Sequence, residues 1–302
     1  MSKKSLDFIV VGAQKGGTTS LAEYMGKSAE IFVPKEKEIP YFLDSDFLQR
    51  GWDWYLKTFF KNADPAKLWG TSTPQYMMNP AVFKSIKEKL PNVKIIVILR
   101  DPIARLISHF DMMLRLGVEQ RSLVEVIDQE LADIESARCR PYPEECGKYI
   151  VSGEYGRILT EVFIHFDQAN VHVLFFDDLI MNAQLELDEI AAFLNIKRVQ
   201  LGRSKVIRMR GGSKKRVLID HNKINELFVK FVRVTGVGHL IPYAFKRRYS
   251  RIISWIDENN VDPSSKTNIA HLPASLLLRL KAHYMDDSLI LRCSGISAPW
   301  LK

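Results

Sequence analysis

The sequence predicts an α/β fold in which a parallel β-sheet is flanked by helices. Three observations predict it. The runs 8–11, 93–99 and 171–176 are apolar almost throughout instead of alternating with polar residues, the pattern of strands covered on both faces. Segments with apolar residues at helical spacing lie between and after them. Proline and glycine signals mark the boundaries.

The elements follow in order. Residues 8–11, Phe-Ile-Val-Val, read as a buried strand ending at Gly12, and Gly16-Gly17 leads into a helix over 18–25. Asn79-Pro80 pairs a cap with a proline at the first helical position and predicts a helix to about Leu90. Residues 93–99 form the strongest strand, nearly all branched aliphatics, and Asp101-Pro102 repeats the cap-then-proline signal to open a long helix. Tyr155, Ile158, Leu159, Val162, Phe163 and Phe166 have helical spacing, residues 171–176 read as a strand, and 185–194 is helical again.

Composition bounds the rest. The chain has 302 residues, of which 46% are hydrophobic, enough for a sizeable core. With no Pro/Gly/Ser-rich linker to divide it, residues 1–302 are expected to form one domain. No apolar run reaches the ~20 residues needed to span a bilayer. Residues 8–11 are cut short by Gly12 and Lys15, so no signal peptide is expected and the expected location is cytoplasmic. Cys139, Cys146 and Cys293 are odd in number and lack CxxC spacing, which fits free thiols. The net charge is +8, but residues 197–216 and 228–252 together carry +15 and no acid, leaving −7 on the remainder. A positive field concentrated in the C-terminal third favours anionic partners.

The segment 12–20, Gly-Ala-Gln-Lys-Gly-Gly-Thr-Thr-Ser, lies between the first strand and the first helix. A reversal there exposes backbone N–H groups at a helix N-terminus, a natural anion site. Against the P-loop pattern G-x-x-x-x-G-K-[ST], Gly12, Gly17 and Thr19 fit, but Thr18 stands at the lysine's place and the lysine has moved back to Lys15. The architecture is P-loop-like. The shifted lysine suits a donor whose terminal group is singly charged and needs no metal, such as a sulfuryl group on one phosphate.

These residues resemble a known family. Residues 15–19, Lys-Gly-Gly-Thr-Thr, look like the 5'-phosphosulfate loop of sulfotransferases that use 3'-phosphoadenosine 5'-phosphosulfate (PAPS), in the branch of the heparan sulfate N- and 3-O-sulfotransferases and their bacterial relatives. Residues 94–117 resemble the family's 3'-phosphate element, a strand ending in Arg-Asp-Pro with a serine eight residues after the arginine. The resemblance implies that Lys15, Gly16, Gly17, Thr18, Thr19 and Ser20 bind the donor's 5' side and that Arg100 and Ser108 bind its 3'-phosphate. The chemistry agrees, since arginine offers a permanently charged planar fork matched to phosphate. Tyr155, in Ser152-Gly153-Glu154-Tyr155, matches a helix start near the donor. Gly211, Gly212, Ser213 and Lys214 stand where a loop closes over 3'-phosphoadenosine, and about 217–271 is expected to be a basic lid or acceptor-side segment. Residues 276–301 resemble the closing helix and terminal tryptophan.

The resemblance also implies the chemistry. PAPS is the donor and 3'-phosphoadenosine 5'-phosphate (PAP) the product, with no metal. In residues 35–42, Lys-Glu-Lys-Glu-Ile-Pro-Tyr-Phe, Glu38 matches the base that takes the acceptor's proton, with Tyr41 and Phe42 walling the acceptor site and Lys15 sharing the catalysis. His109 is the rival base, because histidine titrates near neutrality. The lysine that glycan sulfotransferases often carry before Thr-Pro-x-Tyr is replaced by Ser72, so either Lys15 acts alone or Lys35 or Lys37 reaches in. The acceptor is expected to be a hydroxyl or amine of a glycan or small molecule. No nucleic-acid partner is expected, contact of the basic segment with an anionic surface stays open, and the oligomeric state is not legible. Two other classes compete. A P-loop kinase or NTPase would want a lysine at position 18 and a metal ligand, for which Asp177-Asp178 is the candidate. A basic nucleic-acid- or membrane-binding protein would use the region 228–256.

Overall fold

The computed structural model describes residues 4–36, 38–116, 118–136, 148–199, 213–214, 261–262 and 272–301. Five parallel strands form the sheet in the order β2-β3-β1-β4-β5: β1 (Phe8–Gly12), β2 (Ile31–Phe32), β3 (Leu68–Ser72), β4 (Lys94–Leu99) and β5 (Val171–Phe175). Phe8 pairs with Gly70 on one side and Lys94 on the other, and Ile95 pairs with Val171.

The apolar runs are apolar because both faces are covered. Phe8, Val10, Ile96 and Ile98 pack under α1 (Thr18–Met25), α8 (Phe176–Met181) and α9 (Ala183–Leu194). Ile9, Val11, Ile95, Val97 and Leu99 pack under α3 (Trp52–Phe59), α4 (Val82–Lys89) and α7 (Tyr155–His165). Ile95, Ile96, Val97, Ile98 and Leu99 have no exposed surface. Each contributes about 1.5–3 kcal/mol relative to exposure.

A third core joins α5 (Pro102–Leu116), α6 (Leu123–Ser136) and the C-terminal helix α10 (Ala274–Cys293). Asp287 of α10 accepts from the amides of Gly156 and Arg157 at 2.8 and 2.9 Å and so caps α7. Glu154, fully buried, accepts from Arg157 at 2.5 Å and pairs with His283 at 3.0 Å.

Two boundaries differ from the sequence reading. Helix α4 begins at Val82 rather than at Pro80, because a 3₁₀ turn (Pro74–Met78) runs up to it and Asn79 contributes its carbonyl to Val82 N rather than a side-chain cap. Phe176 starts α8 instead of ending β5. The Asp101 cap stands as read, with its carboxylate accepting from Ala104 N at 2.7 Å. Of the segment 217–271, expected from the sequence as a basic lid or acceptor-side segment, only β7 (Val261–Asp262) lies among the described residues. It pairs antiparallel with β6 (Ser213–Lys214). Cys293 is an exposed free thiol, while Cys139 and Cys146 lie outside the described residues. Among the described residues no helix is long and apolar enough to cross a membrane.

Candidate active site

The chain leaves β1 towards β2 and β3, and leaves β4 towards β5. The connections diverge at the carboxyl ends of β1 and β4, which is where open α/β sheets form a binding crevice. The loop after β1 is anchored there. Ala13 N donates to Ile98 O at 2.7 Å and Gly16 N to Ala13 O at 2.8 Å. A Cβ on Gly16 would fall 2.7 Å from Ile98 O, and Gly17, at φ 100°, would press one 2.7 Å from the Phe176 ring. Only glycine fits both constraints. Helix α1 starts at Thr18 with no side chain capping it, so its first amides face the crevice unclaimed by a cap. Thr18 and Ser20 are buried and Thr19 is half-buried.

Arg100 follows β4 directly. Its Nη1 donates to Lys15 O at 3.2 Å, and its guanidinium carbon lies 4.8 Å from the centre of the Phe176 ring. That hydrogen bond uses one of five guanidinium donors. Burial shifts the Arg100 pKa down. Ser108 is half-buried, about two turns along α5.

Lys15 sits at φ 67°, and its Nζ lies 3.8 Å from Met112 Sδ. Burial pulls its pKa down to about 8. Arg115 adds to the shift and so does Arg100, against the opposing charges of Glu38 and Asp111. Lys15 is therefore an ammonium among cations, a place that favours an anion.

Glu38 is exposed, at φ 56°, a region that costs a non-glycine residue about 1–3 kcal/mol. Contacts from the end of β3 hold it there. Glu38 N donates to Ser72 O at 3.2 Å and Gln75 Nε2 donates to Glu38 Oε2 at 2.5 Å. The Thr73 and Tyr76 hydroxyls donate to Ile39 O at 3.1 and 3.4 Å. Beside this clamp the Tyr41 ring lies against Phe42, Trp52 and Tyr55, with centroids 5.1, 4.8 and 5.1 Å apart. Lys35 lines a separate pocket with Phe32, Phe59 and Lys61, and Lys37 lies outside the described residues.

The structure thus brings Lys15, Gly16, Gly17, Thr18 and Arg100 together at the carboxyl ends of β1 and β4, with the charge of Glu38 acting on Lys15. Tyr155 is buried, its ring against Trp300 and its charge environment shared with Arg100. The backbone of Ser213 and Lys214 lies against α5, while Gly211 and Gly212 lie outside the described residues. His109 is fully buried in the third core, 4.9 Å from the Tyr149 ring, and this removes it as an acceptor-facing base. Sequence reading missed Gln75, Asp111, Met112, Arg115 and Phe176. The three on α5 were findable, because they fall at i+3, i+4 and i+7 from Ser108, on one helix face. Nothing local marks Gln75 or Phe176.

A family model described as a sulfotransferase domain matches residues 5–216. The membrane-associated sulfotransferase kil1 of Dictyostelium discoideum is 38% identical over 106 residues, 34% of this chain and 22% of that protein. The bifunctional heparan sulfate N-deacetylase/N-sulfotransferase 1 of Caenorhabditis elegans is 26% identical over 205 residues, covering 65% and 23%. The human heparan sulfate glucosamine 3-O-sulfotransferase 5 is 26% identical over 188 residues, covering 62% and 53%. The chain thus spans about half or less of the length of these relatives. A solved sulfotransferase from Alicyclobacillus acidocaldarius superposes with a TM-score of 0.58 at 20% identity over 81% of this chain and 100% of that one, a likeness of fold. With more than two thirds of its length matched by the domain model, the chain belongs to the sulfotransferase family.

Proposed function

We propose that this protein transfers a sulfuryl group from PAPS to a hydroxyl or amine of a glycan or small-molecule acceptor. The observation that carries the reading is the convergence of the Lys15 ammonium, the Arg100 guanidinium and the uncapped N-terminus of α1, with the Glu38 carboxylate near enough for its charge to act on Lys15. That donor set fits an anion with phosphates at both ends. Residues 16–20 and Lys15 would hold the 5' side, and Arg100 and Ser108 the 3'-phosphate, with Tyr155 near Arg100 and the backbone of Ser213 and Lys214 along α5. PAPS supplies the sulfuryl group and a phosphate that departs with PAP.

The chain's own residues do the remaining work. Glu38, set by Gln75, takes the proton from the acceptor oxygen or nitrogen, a step typically worth about 10²–10⁴-fold. Lys15 offsets the negative charge that builds on the departing phosphate. The aromatic cluster around Tyr41 gives the acceptor an apolar wall beside the carboxylate. The acceptor itself is identified by incubating the protein with PAPS and an extract of its source cells, then searching for metabolites or glycans that gain the mass of one SO₃ group. Absence of any such product alongside intact PAPS would overturn the reading.

A further inference from the structure

Helix α5 carries a second cation on the crevice side. Ser108, Asp111, Met112 and Arg115 fall at i, i+3, i+4 and i+7, so they share one face. Met112 lies 3.8 Å from the Lys15 ammonium, which fixes that face towards the loop after β1. Ser108, Met112 and Arg115 are half-buried, whereas Ile103, Leu106, Phe110 and Met113 on the other side of α5 are buried in the third core, so this face is the less covered side of the helix.

Position along the helix says which end of a ligand Arg115 meets. Ser108 and Arg115 are seven residues apart, about 10 Å of helix rise. On the donor-site reading Arg100 and Ser108 meet the 3'-phosphate, Met112 one turn further along α5 lies against Lys15, and Arg115 follows about one turn beyond Met112. Its charge is felt at Lys15 more strongly than that of Arg100, which agrees with this order. Two cations this close, balanced in part by Asp111 and Glu38, form a site for a negatively charged group between them.

We propose that Arg115 holds the sulfuryl oxygens of the donor, as a catalytic residue for the transfer. The proposal rests on the reading of the crevice as a PAPS site and adds to it the residue at the sulfuryl end. A guanidinium is permanently charged and presents paired N–H donors, so it can keep its hold on the sulfuryl oxygens throughout the transfer.

The test compares PAPS with PAP, which differ by the sulfuryl group alone. Dissociation constants are measured by calorimetry without acceptor, on the full chain, for wild type, Arg115→Ala and Arg115→Lys, with melting temperatures recorded alongside. The expected result is that Arg115→Ala weakens PAPS by about tenfold or more, leaves PAP within twofold, and that Arg115→Lys recovers part of the loss. Equal weakening of PAPS and PAP, or no weakening of either, overturns the proposal and leaves the donor site standing. A wild-type protein that binds neither ligand overturns the donor site and the proposal together. If Arg115→Ala does not fold, the same comparison is made on Arg115→Lys, where a PAPS affinity equal to wild type overturns the proposal.

Discussion

The Arg100 guanidinium donates to the main-chain carbonyl of Lys15 at 3.2 Å, so the residue that ends β4 holds the loop that follows β1. The two segments that resemble donor-binding motifs, 85 residues apart in sequence, form one unit. Arg100→Ala should therefore loosen the loop as well as remove a phosphate ligand. PAP affinity should fall by about 1.5–3 kcal/mol, the range for a hydrogen bond to a charged group. Calorimetry on the variant checks this, and an affinity within twofold of wild type would contradict the assignment.

Donor binding should depend on pH through Lys15. With a pKa of about 8 in the free protein, Lys15 is charged below that pH, and affinity should be flat there. Above it the free protein has lost the proton that an arriving anion restores, so affinity should drop by up to about tenfold per pH unit. Burial sets most of the shift, Arg115 and Arg100 add to it, and Glu38 and Asp111 oppose it. Titrations from about pH 7 to 9.5 should show this fall in wild type and a flatter profile in Lys15→Arg. A flat wild-type profile would sink the account.

Glu38→Gln keeps the size of the side chain but cannot take a proton. Turnover should fall by about 10²–10⁴-fold with PAP affinity unchanged. Gln75→Leu removes the donor 2.5 Å from the carboxylate and should lower turnover by a smaller factor, because the base remains but is no longer held. Steady-state rates with a common acceptor check both. More than half of wild-type turnover in Glu38→Gln would eliminate it as the base.

Gly17→Ala tests the loop itself. The residue is at φ 100°, and the added methyl would meet the Phe176 ring at 2.7 Å. The backbone strain alone is about 1–3 kcal/mol, so the melting temperature should fall and PAP affinity with it. Unchanged stability would mean that the loop is not held as described.

Much of this was legible in sequence, and the reasons differ by element. β1 and β4 announced themselves because both faces are buried, and the start of α5 because Asp101 and Pro102 are a local signal. β3 was not legible. It contains Gly70, which the pattern of a strand disfavours but which the Phe8 ring requires, since that ring lies where a Cβ would be. The start of α6 was legible and overlooked. Ser122 and Glu125 form a capping box, with Ser122 N donating to the Glu125 carboxylate at 2.7 Å. In the site, Lys15, Arg100 and Glu38 stood in motifs, whereas Gln75 and Phe176 acquire their places only when distant strands are laid side by side. His109 read as a candidate base from its chemistry, but its position on α5 points it into the core.

Calorimetry of PAP binding with a chelator present tests the central claim most directly. PAP should bind without divalent metal, and at about 100 times its dissociation constant it should stabilise the fold by about 2.7 kcal/mol. Binding should weaken in both Lys15→Ala and Arg100→Ala. No binding of PAP, or equal stabilisation by Mg-ATP in a metal-dependent manner, would contradict the account.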